Sequence, residues 1–501
     1  MVNNGDKYGI TRWEDPADVN ARLKALTDQP IWEVNDDYYE NEILKYYDEK
    51  CRASKEVFEK AKDVIPGGVQ HNLAFNKPFP VCFTKAEGAY LYDKDGNEYI
   101  DFLQAGGPTI LGSNWGPVKE AVEELINTCG PVTGLLHEAE YLIANEIHAC
   151  MPGVEMFRML GSGTESDMAA LRIARLATGH KHIIKLGGGY HGWSDQLVYG
   201  TKIPGSRSFL ESHGIPRKVQ SYTHEVRPND LDMLEKMLKV LRLCGGTAAV
   251  LIEPFGPESG TRPVSADYCQ GVRDLCDKYG ALMVMDEVVT GFRCGLGGAQ
   301  GYFGVTPDLT IFGKIVAGGY PAAGGVGGKK EYVSLMAAGV GGSSKKAYVG
   351  GTLSANPMSA LAGYTAIKEI ERTNACELAG RAGDRLTDGL KMLLDKYGLP
   401  FVAYNQGSIV HLECTGAMSF DFSSFNPLKS IKGLLENKDM MYERKASMER
   451  MGAAYMANGV VTLAGSRLYT SMADTDEVID EALNRFENVF KNVVKTNKCA
   501  D

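Results

Sequence analysis

Leu282-Met283-Val284-Met285-Asp286-Glu287-Val288, followed downstream by Leu309-Thr310-Ile311-Phe312-Gly313-Lys314, is the stretch on which the fold turns. Each half is a short apolar run that stops at a charged residue. Such runs, bounded by polar or glycine-rich turns, read as buried strands. The same pattern occurs upstream at 181–186 and 248–252, with helical spacing between the runs. Strands alternating with helices predict a mostly parallel α/β sheet between about 142 and 370. Ligands of such sheets bind beyond the carboxyl ends of the strands. Asp286 and Lys314 both stand at such an end.

The pattern changes on both sides. Residues 1–62 are rich in charge and in aromatics such as Trp13, Trp32, Tyr46 and Tyr47. They read as an extended arm, then a helix over 43–61 that ends at Ile65-Pro66-Gly67-Gly68. Alternating residues flank Lys94-Asp95-Gly96-Asn97, a hairpin signal. A helix is expected over 118–127. After about Thr373, amphipathic helices mix with short strands at 401–403 and 408–412, and a last helix covers 474–494. The expected division is 1–62 as arm and helix, 63–130 as the first part of a small domain, 131–372 as a large domain, and 373–501 as the rest of the small, α+β domain. There is no internal repeat and no low-complexity linker.

Composition narrows the function. The chain has 501 residues, 44% hydrophobic and 23% charged, as in soluble globular proteins. Its net charge of −10 argues against nucleic acid and anionic membranes as partners. The 11 cysteines are scattered from Cys51 to Cys499 without a Cys-x-x-Cys pair, so neither a metal site nor a disulfide framework is expected. Reduced thiols, a polar N-terminus and no apolar run of ~20 residues point to a soluble, cytoplasmic protein.

Several short motifs carry chemistry. Gly161-Ser162-Gly163-Thr164-Glu165-Ser166 precedes a helical stretch closed by Gly179. The first turn of a helix can hold a phosphate on its free N–H groups, and Ser162 and Thr164 add hydroxyls. The same residues equally make a plain N-cap. In Gly187-Gly188-Gly189-Tyr190-His191-Gly192-Trp193, an aromatic at a strand end can stack on a flat heterocycle or merely pack in a loop. Asp286, costly to bury unpaired, can keep a pyridinium nitrogen protonated, or it belongs to an acid pair that caps the next element. Lys314, closing an apolar strand, can form a Schiff base with an aldehyde, or it snorkels to solvent. Val349-Gly350-Gly351-Thr352-Leu353-Ser354-Ala355-Asn356-Pro357 offers a further phosphate donor or a helix cap. Together they supply a phosphate cradle, a ring stack, a pyridinium partner and a Schiff-base lysine.

With Ile65-Pro66-Gly67-Gly68-Val69 and Gly291-Phe292-Arg293, these motifs resemble the class III, fold type I aminotransferases. The nearest branch is that of glutamate-1-semialdehyde aminomutase and related transaminases. The resemblance covers about 65–489. It implies pyridoxal 5'-phosphate as cofactor, a large domain on a seven-stranded, mostly parallel sheet, and a small α+β domain built from both chain ends. Lys314 would carry the Schiff base and move the proton. Asp286 would pair with the ring nitrogen, Val288 would press on one ring face, and Tyr190 would stack on the other with His191 beside it. Ser162, Gly163 and Thr164 would hold the phosphate. Thr352 would reach the phosphate of a neighbouring subunit, making a homodimer with shared active sites. Glu253, in Ile252-Glu253-Pro254, matches an acidic position near the cofactor.

Two departures bear on the substrate. Where the aminomutase carries a carboxylate-binding arginine, this chain reads Gln70-His71-Asn72-Leu73-Ala74-Phe75. Where the family has Ser-Trp-Gly-Pro, it reads Ala105-Gly106-Gly107-Pro108. Both argue against glutamate semialdehyde. In Ala464-Gly465-Ser466-Arg467-Leu468, Arg467 offers a replacement ligand for a substrate carboxylate, or is a structural arginine. The implied reaction is amino transfer from a small amino acid, β- and D-amino acids included, to a keto acid. An aminomutase or an amino-acid racemase or epimerase is the alternative.

Overall fold

The computed structural model describes residues 8–201, 212–337, 345–416, 438–463 and 465–496. Its centre is a seven-stranded sheet in the order Met156–Leu160, Gly324–Gly328, Leu309–Gly313, Leu282–Asp286, Thr247–Ile252, His182–Leu186, Thr223–Val226. The five strands from Leu309–Gly313 to Thr223–Val226 are mutually parallel. Gly324–Gly328 runs antiparallel to both its neighbours. Every residue of Thr247–Ile252, Leu282–Asp286 and Leu309–Gly313 is buried, which is why these strands read as continuous apolar runs rather than alternating ones.

The expected strands are present, with ends moved by one to three residues. Gly324–Gly328 escaped the sequence reading because Gly-Gly-Val-Gly-Gly looks like a loop. Close packing is the reason for its glycines. A side chain on Gly324 would overlap the backbone of Ser162, and one on Gly325 would overlap the ring of Phe157. The strand therefore lies directly on the start of the helix Gly163–Thr178.

Both chain ends build the smaller unit. The hairpin Tyr90–Asp93 and Glu98–Asp101 forms around Asp95-Gly96, and Val460–Val461 from the far end of the chain joins Glu98–Asp101 in parallel. Trp32–Val34 pairs with Val493–Lys495. Val402–Gln406, Ile409–Glu413 and Arg467–Tyr469 make a further antiparallel sheet. Ala464, which opens the Arg467 motif, lies outside the described residues.

The arm is not extended, contrary to the sequence expectation. Asp15 caps a helix, Pro16–Thr27, by accepting from the N–H groups of Ala17 and Asp18. Val19, Leu23 and Leu26 lie on one face of it and are buried in a core shared with Leu386, Leu390 and Phe486. An Asp-Pro cap followed by this spacing was the available signal. The helix expected over 43–61 divides at Cys51 into Lys45–Lys50 and Arg52–Ala61. The last helix, Asp476–Phe490, stops short, so that the chain can return as Val493–Lys495. Ahead of the Pro16–Thr27 helix, the Trp13 indole N–H donates to the Val264 carbonyl at 2.8 Å, and Arg12 donates to Asp388 at 2.7 Å and Asn405 at 2.9 Å.

Leu23→Ala opens a cavity in that shared core. Its expected cost is about 2–5 kcal/mol, read as a lower urea midpoint with an unchanged slope. An unshifted midpoint would show that the arm does not belong to the cooperative core.

Candidate active site

The parallel register sets Ile311 opposite Asp286, so the strand ends that carry Asp286 and Lys314 are neighbours. Lys314 follows its strand with φ +50°, a left-handed conformation that is costly for a lysine. Val288 is wedged between the two elements. A side chain begun on Gly163 would meet it at 3.1 Å, and one begun on Gly313 at 2.8 Å.

Two glycines face the Lys314 side chain. A side chain begun on Gly106 would stand 3.7 Å from both Lys314 Nζ and Leu73. At Gly107 the Lys314 stem and the Tyr469 ring approach the same point, at 3.5 and 3.6 Å. Arg293 fixes this turn: fully buried, it donates to the Gly107 carbonyl at 2.6 and 3.0 Å, to Gln104 at 3.0 Å and to the Thr470 carbonyl at 2.9 Å. Burial pushes the Lys314 ammonium below its ordinary range, and Arg467 and Arg293 add to this.

The helix Gly163–Thr178 starts beside this point. Ser162 Oγ accepts from the Glu165 N–H at 3.2 Å, the plain capping geometry, with Gly163 and Thr164 in the first turn. Gly192 has φ +75°, and a side chain there would overlap Thr164, so the Tyr190–Gly192 loop presses on the helix start. That contact delivers His191 into the interior, where its Nδ1 lies 2.7 Å from Asp286 Oδ2. The other Asp286 oxygen accepts from the Val288 N–H at 3.0 Å. Tyr190 remains 54% exposed, which leaves a ring face open.

A family profile described as aminotransferase class-III matches residues 74–490. The chain belongs to the class III aminotransferases. Glutamate-1-semialdehyde 2,1-aminomutase 2 of an Exiguobacterium species is 35% identical over 445 residues, 88% of this chain and 97% of the relative. An omega-transaminase from Sphaerobacter thermophilus superposes with a TM-score of 0.77 at 27% identity, covering 89% of this chain and 99% of that one. A glutamate-1-semialdehyde aminomutase from Pseudomonas aeruginosa, solved in complex with PMP, shares the fold at 19% identity, with a TM-score of 0.76 over 95% and 99% of the two chains. The architecture is therefore the fold type I of pyridoxal-phosphate enzymes, and pyridoxal phosphate is the family's cofactor.

This class III site fits that group. It gathers a helix start free of bulky side chains, a carboxylate oriented from two sides, an open aromatic face and a partly buried lysine. The remaining expected residues fall nearby with other contacts. Glu253 accepts from the N–H groups of Tyr190 at 2.8 Å, Glu258 at 3.0 Å and Ser259 at 2.8 Å, so it shapes the loops around the site. Thr352 is exposed, on the turn ahead of the helix Pro357–Thr373, where a side chain on Gly351 would stand 3.4 Å from Glu165. Arg467 donates to Glu258 at 3.1 Å and Thr261 at 3.2 Å, while its buried Nε has no partner among the described residues.

The sequence reading passed over Asp167. It sits in the first turns of Gly163–Thr178, fully buried, with Oδ1 4.0 Å from His191 Nδ1. The ligand atoms of Asp167, His191 and Asp286 lie within 4.8 Å of one another, a group that could hold a metal ion. Helix, loop and strand end each contribute one member, so no sequence spacing revealed it. The available signal was an acid among the buried positions Ser166, Ala170 and Leu171. Burial, reinforced by Asp286 and Glu253, pushes the Asp167 carboxyl well above the usual carboxylate range.

A carboxyl with a raised folded-state value destabilises the fold as pH rises. The unfolded chain ionises in the ordinary range near pH 4, while the folded protein holds this proton to higher pH. Asp167→Asn removes this difference. Thermal melts of the cofactor-free protein should show the variant gaining on wild type as pH rises from about 4 towards 8. Parallel curves would show that Asp167 is ionised in the fold.

Proposed function

We propose that this enzyme moves an amino group from a small amino acid to a keto acid, with Lys314 as the reacting amine. The carrying observation is the placement of Lys314 at a strand end beside Asp286, with its amine facing the bare Gly106 turn. Pyridoxal phosphate, when bound, supplies an aldehyde and an electron-accepting ring. Gly163 and Thr164, with Ser162, offer N–H and hydroxyl donors to the phosphate. Asp286, oriented by His191 and the Val288 N–H, would hold the ring nitrogen. Val288 and Tyr190 cover the two ring faces. Lys314, pushed towards its neutral form by burial, would be the amine that holds the group covalently and the base that carries the proton. Arg467 would stand on the substrate side, where its buried Nε–H, without a partner among the described residues, would donate to a substrate carboxylate.

A homodimer belongs to this reading. Leu135, Leu136, Trp193, Tyr348 and Leu353 stand exposed, apolar side chains that a second copy of the chain would cover. Thr352, next to Leu353, would then serve the neighbouring phosphate. The free cysteines suit a reducing cytoplasm, and no described helix is long and apolar enough to cross a membrane.

A second reading is internal transfer within one substrate, as in an aminomutase. The curated relatives bear that name at 35% identity, and on this count they favour it over transfer between two substrates. Against glutamate semialdehyde stands Leu73, an apolar side chain where the bare Gly106 turn faces the Lys314 amine.

Spectral titration of the holoenzyme with L-, D- and β-amino acids separates the readings. A donor that converts the lysine-bound cofactor to its amine form, with release of a keto acid, supports transfer between substrates. A single substrate that is isomerised with no keto product supports the aminomutase or a racemase. Lys314→Ala should lose the lysine-bound absorbance band and at least about a hundredfold in turnover. Persistence of the band would overturn the assignment of Lys314. Mixing Lys314→Ala with Thr352→Ala protomers should restore activity, because each mixed dimer regains one intact site. No gain on mixing would place Thr352 in its own subunit's site.

A further inference from the structure

Gln104, Ala105, Gly106 and Gly107 are four successive residues in the left-handed region, at φ +47°, +54°, +85° and +115°. Glycine adopts that backbone freely, but it is costly for glutamine and alanine. Such a run persists only where its surroundings over-determine it, and such runs collect at functional sites. This one borders the Lys314 side chain. A side chain begun on Gly106 would stand 3.7 Å from Lys314 Nζ, and one begun on Gly107 would stand 3.5 Å from the Lys314 stem.

The contacts that fix the turn converge on Gln104, which is 2% exposed. Its backbone N–H donates to Asp101 Oδ1 at 2.7 Å, beside the Leu103 N–H at 3.0 Å. Its side-chain oxygen accepts from Arg293 Nη2 at 3.0 Å, and its side-chain N–H donates to Asp474 Oδ2 at 3.3 Å. An arginine only donates and a carboxylate accepts, so both ends of the amide are matched in one orientation. Ser471 fixes Asp474 in turn, through its N–H at 2.6 Å and its hydroxyl at 3.0 Å. The turn also closes on itself: the Gly106 N–H donates to the Leu103 carbonyl at 2.8 Å, and the Gly107 N–H to the Gln104 carbonyl at 2.7 Å. Glycine at 104 would take this backbone with less strain. What glutamine adds is a side chain long enough to bridge Arg293 and Asp474.

We propose that Gln104 is a positioning residue for the amino donor: by bridging Arg293 and Asp474 it holds the turn so that bare backbone, not a side chain, borders the place where the donor meets Lys314. Ordinary helical or extended backbone at Gln104 and Ala105 would carry Gly106 and Gly107 away from the lysine. The space beside the amine would lose its wall, and the donor its orientation, while the cofactor's own contacts stayed in place. The inference rests on Lys314 being the reacting amine.

The experiment compares wild type with Gln104→Met, which keeps the length of the side chain and loses both of its hydrogen bonds. In the holoenzyme the lysine-bound absorbance band should be unchanged, while the donor concentration that half-discharges it should rise at least about tenfold. An unchanged donor requirement, or loss of the band, would overturn the proposal. In the cofactor-free protein, hydrogen exchange reports the turn itself. The Gly106 and Gly107 amides should exchange at least about tenfold faster in the variant, and unchanged exchange would overturn the lock. Gln104→Asn covers a Met variant that folds poorly. Asparagine tolerates the left-handed backbone but is a methylene too short to reach both partners, so the same two shifts are expected and their absence counts equally against the proposal. If no donor discharges the wild-type band, the transfer reading fails, and faster exchange in the variants still supports the lock. If the wild-type band is discharged and neither shift appears, only the lock fails.

Discussion

A carboxylate at the end of a fully buried strand must be compensated, and at Asp286 that requirement organises everything around it. One oxygen is met by the Val288 N–H at 3.0 Å, and the other lies 2.7 Å from the His191 imidazole. His191 reaches the interior only because its loop folds onto the helix start at Gly192 and Thr164. Glu253 then pins that loop through the Tyr190 N–H. The acid, the aromatic face and the helix start are thus one connected network. A buried charge is stabilised by several fixed dipoles rather than by a single partner.

The surroundings of Lys314 depend on a different constraint, the junction of the two chain ends. Arg293 binds the Gly107 turn of the early chain and the Thr470 carbonyl of the late chain at once. Leu73, Gly106, Gly107, Arg467 and Tyr469 therefore surround the lysine from segments that are hundreds of residues apart in sequence. The arm adds a further tie. Trp13 packs on Phe255, Tyr302 and Phe303 of the large unit, while Arg12 holds Asp388 and Asn405 of the small one. Long-range contacts of this kind fix a pocket wall without any one of them being strong.

Family membership and reaction are separate conclusions. The class III architecture and its cofactor follow from a match over 74–490 and from shared folds. One fold hosts transaminases and aminomutases alike, so the reaction has to be read from the side chains around the lysine. Here those are Leu73, the unbranched Gly106-Gly107 turn, Arg467 and Tyr469.

The linear sequence was enough for the α/β class, the strands that end at Asp286 and Lys314, the capped helix after Ser162 and the hairpin at Asp95-Gly96. Each is written in local chemistry: an apolar run with no alternation, an Asp-Gly turn, a serine ahead of a helix. It was not enough for Gly324–Gly328, whose glycines answer to Ser162 and Phe157 across the sheet, nor for the Pro16–Thr27 helix, whose apolar face is stabilised by the opposite end of the chain. Asp167, Glu253 and Tyr469 acquired their surroundings only on folding. Their chemistry depends on burial and on charges brought from distant segments, and those distances exist only once the chain has packed.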